Sequence, residues 1–132
     1  MSSRWRRYEV LLPVQFNDGR AVPSEWLAEA VLEIVDHFGA ASYETQRVES
    51  HWRQGGVLYR DDLMRIVIDV PDPVKNRQWM KQFKKRWKDC LEQLELWVIS
   101  YRIELVRALS IRNVCVQNHM DTTLYPLRPA FR

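Results

Sequence analysis

The chain has 132 residues, of which 46% are hydrophobic and 28% charged, and its formal net charge is +3 at pH 7. This length corresponds to one domain, and the apolar fraction is too high for an intrinsically disordered protein. Four glycines and six prolines exclude collagen-like and low-complexity architectures, and no apolar run reaches the roughly 20 residues of a membrane-spanning helix.

The first predicted elements are a strand and a helix. Side chains alternate with a period of two over residues 7–16, which predicts a strand with Tyr8, Val10 and Leu12 on its buried face. Apolar residues then recur at helical spacing over residues 24–38, while four acidic side chains occupy the outer face. We therefore predict a strand followed by an amphipathic helix.

A hairpin, a second helix and a last strand follow. Two alternating segments, residues 41–52 and 57–70, flank a glycine-rich turn, which predicts a hairpin. Helical spacing of large apolar side chains predicts the second helix over residues 74–94. Renewed alternation over residues 96–106 predicts the last strand.

The order strand, helix, strand, strand, helix, strand predicts an α+β fold, the ferredoxin-like βαββαβ sandwich. Both helices are then expected on one face of a four-stranded antiparallel sheet, which leaves the other face open. We assign residues 1–106 to this domain and residues 107–132 to a C-terminal tail. The tail is too apolar for a free solvated segment, so we expect it to dock on its own sheet or on a partner chain.

The open face of the sheet is predicted to mix apolar and charged side chains. Its apolar members are Leu11, Trp52, Leu63, Val67 and Val98, and its polar members are Glu44, Gln46, Arg65, Asp69, Arg102 and Glu104. Such a mixture is typical of a surface that contacts a second copy, a protein partner, the tail or a ligand. The residues predicted for this interface are Trp52, Arg65, Val67, Arg102, Leu124, Tyr125 and Phe131.

The second helix carries the densest positive charge. Residues 74–89 hold seven Lys or Arg against one Asp. A basic face of this kind can bind nucleic-acid phosphates or an acidic partner. Part of it is alternatively expected to pair with the acidic face of the first helix. The residues predicted to bind nucleic acid or an acidic partner are Arg77, Lys81, Lys84, Lys85 and Lys88.

The hairpin is the densest collection of chemically active side chains. Within a dozen residues it holds an imidazole, acids, bases and aromatic rings, which suggests a cleft. The residues predicted for this cleft are His51, Trp52, Arg53, Tyr59 and Asp61. Because Asp61 and Asp62 are adjacent on a strand, they are expected to point to opposite faces and to form no carboxylate pair.

The hairpin also carries a resemblance. The sequence Trp52-Arg53, then Gly55-Gly56, then Tyr59-Arg60-Asp61 and an apolar strand resembles an uncharacterised bacterial family of small ferredoxin-like domains with a W-R…G…acidic hairpin. The resemblance extends over roughly residues 8–106. It implies the ferredoxin-like fold and carries over no catalytic residue.

Cysteine usage and the N-terminus bear on location. Cys90 and Cys115 are too few for a disulfide framework, so we expect reduced thiols, with Cys90 buried. The basic N-terminus is not followed by the apolar stretch of a secretion signal, so we expect a cytoplasmic protein without a membrane partner.

Three functions remain open from the sequence. The first is a non-enzymatic assembly or adaptor protein that forms a homo-oligomer or binds a protein partner through the open face and the tail. The second is a nucleic-acid-binding protein that uses the basic helix. The third is a small enzyme that uses the hairpin over residues 49–62. No nucleotide-binding or nucleophile motif is present, and we predict no cofactor, no metal site and no assigned catalytic residue.

Overall fold

The computed structural model describes residues 4–109, which form five strands and two helices. In chain order they are β1 (Trp5–Pro13), α1 (Ser24–Phe38), β2 (Ser42–Tyr43), β3 (Val48–Gln54), β4 (Val57–Pro71), α2 (Val74–Cys90) and β5 (Trp97–Ile103). Helix α1 has the bounds predicted from the sequence. Neither helix of the described part combines the length and apolarity needed to span a membrane.

The strands form one antiparallel sheet in the order β2-β4-β1-β5, and β3 also pairs with β4. The predicted α+β domain with an antiparallel sheet and two helices is therefore confirmed. The described sheet nevertheless has five strands, whereas the predicted ferredoxin-like sandwich has four. The difference lies in the segment predicted as a single strand over residues 41–52.

That segment is split because two extra residues interrupt its pairing with β4. Ser42 faces Val67, and Val48 faces Leu63, so the seven residues 42–48 oppose the five residues 63–67. An excess of this kind breaks a ladder and bends the strand, as a bulge does. Residues 44–47 are all polar, which interrupts the apolar alternation of the predicted strand but does not show how many residues the ladder skips.

The core lies between both helices and one face of the sheet. Val10 and Leu12 of β1 and Ile66 of β4 are fully buried, as the alternation predicts. They pack with Ile34 of α1 and Phe83 of α2 in one continuous cluster. Both helices therefore cover the same side of the sheet, and the other side has no helix packed on it.

Helix α2 ends four residues earlier than predicted. Glu92 adopts a left-handed backbone with φ of 54°, and the Gln93 N–H donates to the Lys88 carbonyl at 3.0 Å. This arrangement closes a helix C-terminus even without glycine. Leu91 remains fully buried while Cys90 is exposed, so the expectation of a buried Cys90 is wrong. The thiol lies just outside the buried stripe of the helix.

Strand β5 presents its faces differently from the predicted open face. Val98 lies opposite the fully buried Val10 and packs against the core, so it is on the helix side. Arg102 lies opposite Arg6 on that same side. The open side of β5 instead carries the exposed Trp97, together with Ile99 and Tyr101. The sequence identified both faces of this strand but not which of them meets the helices.

A pair of identical substitutions tests the position of the core. Ile66 is fully buried and Ile99 is 38% exposed, and both lie in strands. We expect Ile66→Val to lower the free energy of unfolding by about 0.5–1.5 kcal/mol, because it leaves a cavity. Ile99→Val should change it by less than about 0.5 kcal/mol. Urea denaturation measures both values, and equal losses would contradict the assigned faces.

Candidate functional site

A cavity of about 520 Å³ lies on the face of the sheet opposite the helices. Its volume is within the range of roughly 300–1,000 Å³ that small-molecule sites occupy. We call it the sheet-face cavity, and its lining residues are Leu11, Pro13, Ser50, Trp52, Gln54, Asp61, Leu63, Gln93, Leu94, Glu95, Leu96 and Trp97. They combine apolar and aromatic walls with two carboxylates and two carboxamides. This composition suits a ligand that is partly apolar and partly polar.

The β3–β4 turn determines which hairpin side chains face the cavity. Gly55 and Gly56 both have positive φ, 58° and 78°, which a two-residue hairpin of this kind requires and side-chain-bearing residues disfavour. The turn places Gln54 opposite Val57, and this register places Trp52 opposite Tyr59. A shift by one residue would send the opposite set of side chains to the cavity.

Trp52, Tyr59 and Asp61 form one connected group. The Trp52 indole Nε1–H donates to Asp61 Oδ2 at 2.6 Å. The Trp52 and Tyr59 rings stack, with centroids 4.3 Å apart and planes 14° from parallel. Both contacts hold the indole in place, and the indole in turn orients the carboxylate.

The two cavity carboxylates differ in their electrostatic partners. Glu95 forms an ion pair with Lys84 Nζ at 3.0 Å and accepts the Leu96 N–H at 2.8 Å. The Lys84 hydrogen bond, with the Leu96 N–H second, lowers the pKa of Glu95. In the described part of the chain, no Lys or Arg nitrogen lies within 4 Å of Asp61. Of the two cavity carboxylates, Asp61 is therefore the one whose negative charge is not paired with a protein cation and can attract a ligand.

The structure brings together three of the five residues predicted for a cleft. Trp52 and Asp61 line the sheet-face cavity, and Tyr59 stacks on Trp52. His51 and Arg53 lie on the opposite face of the hairpin, where His51 Nε2 is 2.8 Å from a Glu49 oxygen. The predicted opposite orientation of Asp61 and Asp62 is confirmed, because Asp62 lies 3.6 Å from Arg60 on that other face.

The residues predicted for an interface are dispersed. Trp52 belongs to the cavity, and Arg65 on the open face lies 3.3 Å from Glu44 and 4.0 Å from Glu9. Val67 is also on the open face. Arg102 lies on the helix side, so its predicted place in an open-face interface is wrong. The three others lie outside the described residues; they are Leu124, Tyr125 and Phe131.

The basic residues of α2 divide into two groups. Arg77, Lys81 and Lys84 line a second, smaller pocket of about 260 Å³ beside β5. Lys85 and Lys88 do not line it. The binding role predicted for these five residues stays a prediction.

The expected pairing between the two helices is confirmed. Arg86 of α2 lies 3.1 Å from Glu33 of α1, and the Trp87 indole N–H donates to the other Glu33 oxygen at 3.0 Å. One carboxylate of the acidic face thus binds two side chains of α2. Part of the charge on α2 is balanced within the domain.

Sequence reasoning missed the cavity residues contributed by the segment after α2. Gln93, Leu94 and Glu95 were placed in or directly after a longer helix, and Trp97 was placed on an inward face. Pairing of β5 with β1 brings this segment to the same side as the hairpin. The only signal in the sequence is the dense polar and aromatic composition of residues 92–97.

Comparisons with known proteins give a fold but no family. Neither a protein-family model nor a curated protein matches the sequence. Among solved structures, the chain is similar to a phage SAM lyase in complex with S-methyl-5′-thioadenosine, with a TM-score of 0.59 and 14% identity. The match covers 80% of this chain and 93% of the lyase. At this identity the likeness shows a shared fold.

This comparison contradicts the predicted function. The leading expectation was a non-enzymatic assembly or adaptor protein, but the similar structure is that of an enzyme. The mixed open face, which suggested a contact surface, contains a cavity of ligand size. The expectation of a non-enzymatic adaptor is therefore corrected.

The ion pair of Glu95 has a measurable pH consequence. Its lowered pKa means that the pair contributes stability above pH about 4.3, the ordinary pKa of Glu, and loses it as pH falls through the lowered value. We expect Lys84→Gln to raise the pKa of Glu95, as followed by carboxyl ¹³C NMR. Lys85→Gln makes the same charge change at an exposed neighbouring position and should leave this pKa unchanged. If Lys85→Gln raised the pKa of Glu95 and Lys84→Gln did not, the pairing of Glu95 with Lys84 would be refuted.

Proposed function

We propose that this protein is an enzyme that binds a cationic nucleoside of the S-adenosylmethionine class in the sheet-face cavity and breaks a carbon–sulfur bond in it. The observation that carries the proposal is the combination of two indole rings, Trp52 and Trp97, with the unneutralised carboxylate of Asp61 in one cavity of ligand size. The phage lyase that shares the fold holds S-methyl-5′-thioadenosine, a nucleoside thioether.

The aromatic wall supports a nucleoside as the ligand. A nucleobase stacks favourably on Trp, with a contribution of roughly 1–3 kcal/mol per base. Trp52 is held on its other side by Tyr59, so its ring does not need to be ordered when a base binds. The carboxamides of Gln54 and Gln93 offer donors and acceptors for base edges or ribose hydroxyls.

The carboxylate supports a positive charge in the ligand. Asp61 is negative and has one oxygen bonded to Trp52, which leaves the second oxygen for a cationic group. Glu95 is already paired with Lys84, so it adds little attraction. S-Adenosylmethionine carries a sulfonium and an ammonium, and either one can meet Asp61.

The proposed reaction balances without an external oxidant or reductant. The bond between the sulfonium sulfur and the amino-acid side chain breaks, and its electron pair stays on sulfur, which becomes the neutral thioether of S-methyl-5′-thioadenosine. As this bond breaks, the carbon fragment either loses a proton from the neighbouring carbon to water, which forms a double bond, or bonds to its own carboxylate oxygen, which forms a lactone. Because the sulfonium charge disappears along this path, Asp61 aids catalysis most if it holds the ammonium rather than the sulfur.

We also infer that the fold is a variant of the ferredoxin-like sandwich. The predicted order of elements is kept when β2 and β3 are counted as one strand, since both pair with β4. The variant strand is the one that supplies Trp52 to the cavity. Its interruption and the site therefore belong to the same part of the sheet.

The proposal is tested by incubating the full chain with S-adenosylmethionine and measuring S-methyl-5′-thioadenosine by chromatography and mass spectrometry. We expect conversion by the native protein. Asp61→Asn should lower kcat/KM roughly 10- to 100-fold, since it removes a charged interaction of about 1.5–3 kcal/mol. The mass of the second product distinguishes the eliminated chain from the cyclised one.

Two further variants distinguish the loss of a contact in the site from a nonspecific effect of substitution on the protein. Trp52→Phe keeps an aromatic ring against Tyr59 but removes the N–H that orients Asp61, so a smaller loss is expected. Asp36→Asn makes the same chemical change as Asp61→Asn at an exposed position on α1 and should leave kcat/KM unchanged. Absence of both conversion and saturable S-adenosylmethionine binding, or equal activity of Asp61→Asn and the native protein, would refute the proposal.

A further inference from the structure

The second pocket, between α2 and β5, has a composition unlike that of the sheet-face cavity. We call it the α2–β5 pocket, and its volume is about 260 Å³. Five of its lining residues are polar, namely Tyr8, Arg77, Lys81, Lys84 and Ser100. One bulk water occupies about 30 Å³, so the pocket has room for a tetrahedral ion and part of an attached group.

A buried hydroxyl without a partner belongs to Tyr8, one of the residues that line this pocket. Tyr8 is only 4% exposed, and its hydroxyl has no hydrogen-bond partner among the described residues. Buried polar groups are nearly always paired, since an unpaired one loses its hydration without compensation. Burial, with a contribution from Asp72, also raises the pKa of Tyr8, so the hydroxyl stays protonated as a donor. A ligand atom that accepts this hydrogen bond would satisfy it.

Positive charge lines the same pocket. Arg77, Lys81 and Lys84 follow one another at intervals of four and three residues, so they project from one side of α2. Arg77 lies 3.4 Å from Asp72, whose side chain is 4% exposed, and Lys84 is paired with Glu95.

The local charge is not balanced. Arg6 lies 3.0 Å from Asp72 and also donates to the Ser100 hydroxyl at 3.0 Å, which brings a fourth cation to the edge of the pocket. Arg6 and Arg77 share the carboxylate of Asp72, and Lys84 pairs with that of Glu95, so two carboxylates accompany the four cationic side chains. Within residues 4–109, Lys81 has no carboxylate within 4 Å. An excess of two positive charges therefore remains beside a donor hydroxyl.

We propose that the α2–β5 pocket is a phosphate-binding site, in which the Tyr8 hydroxyl and Lys81 bind the oxyanion and Arg77 adds a charged hydrogen bond. The phosphate is either free or carried by a small molecule, whose attached group would contact the apolar wall formed by Met80 and Val98. The site goes beyond the proposed enzymatic reaction: it shares no lining residue with the sheet-face cavity, although the ion pair of Lys84 with Glu95 connects the two walls.

The test is a titration of the full chain with inorganic phosphate, monitored by NMR and calorimetry. We expect saturable binding, weakened roughly tenfold by Tyr8→Phe and by Lys81→Gln, since each removes one charge-assisted contact. Tyr43→Phe and Lys85→Gln are matched controls at exposed positions and should alter the affinity less than about twofold.

A stability measurement keeps the test decisive even though Tyr8 lies in the core. Without phosphate, Tyr8→Phe should raise the melting temperature or leave it unchanged, because it removes an unpaired buried hydroxyl. With phosphate, the native protein should gain stability and Tyr8→Phe should gain much less. A clear destabilisation of phosphate-free Tyr8→Phe would show that the hydroxyl already has a partner and would overturn the proposal.

Further arms distinguish the source of the phosphate from a general charge effect. Phenyl phosphate in place of inorganic phosphate reports whether the apolar wall accepts an attached group. Tighter binding than inorganic phosphate identifies a phosphorylated small molecule as the ligand, and weaker or equal binding identifies free phosphate. A short single-stranded DNA tests for a diffuse basic surface. If Lys85→Gln weakens phosphate or DNA binding as strongly as Lys81→Gln, or if phosphate does not saturate with a Kd below about 10 mM, the pocket is not the site.

Discussion

Strand β1 is hydrogen-bonded on both sides, to β4 and to β5, and the rest of the structure depends on this pairing. Because side chains alternate along a strand, one set of β1 residues supports the core and the other supports the cavity. Val10 and Leu12 are fully buried beneath the helices. Leu11 and Pro13, which alternate with them along the strand, line the sheet-face cavity. A change of register at β1 would therefore disrupt the core and the candidate site together.

The pairing of β1 with β4 and β5 also determines which side chains the two carboxylates of the site contact. Glu95 and Asp61 both border the sheet-face cavity, but Lys84 neutralises the first and an indole N–H orients the second. Lys84 itself lines the α2–β5 pocket, so its ion pair with Glu95 joins the walls of the two cavities. One cavity is consequently left with a free negative charge and the other with an excess of positive charge. These opposite fields favour ligands of opposite sign.

Much of the fold and some of the site could be predicted from local patterns. Helix α1, the buried alternation of β1 and the Gly-Gly hairpin were correct because each depends on neighbouring residues and on backbone conformations that few residue types adopt. Of the predicted hairpin cluster, Trp52, Tyr59 and Asp61 lie in contact. His51 and Arg53 did not join them, because the cross-strand register places them on the other face. The end of α2 was missed because Leu94 continued the helical spacing after Glu92 had turned the chain.

Local patterns suffice to predict the two helices, the alternating strands and the concentration of positive charge on α2, because periodicity and composition act over short distances along the chain. The tertiary structure decided which face of β5 meets the core, where the second hairpin strand is interrupted and which charges remain unpaired. Those outcomes depend on contacts between distant residues, such as Lys84 with Glu95 across the end of α2 and Arg86 with Glu33 across the two helices. Pairing across a sheet or between helices has no counterpart in the spacing of residues, so the cavity and the pocket emerge only when the elements pack together.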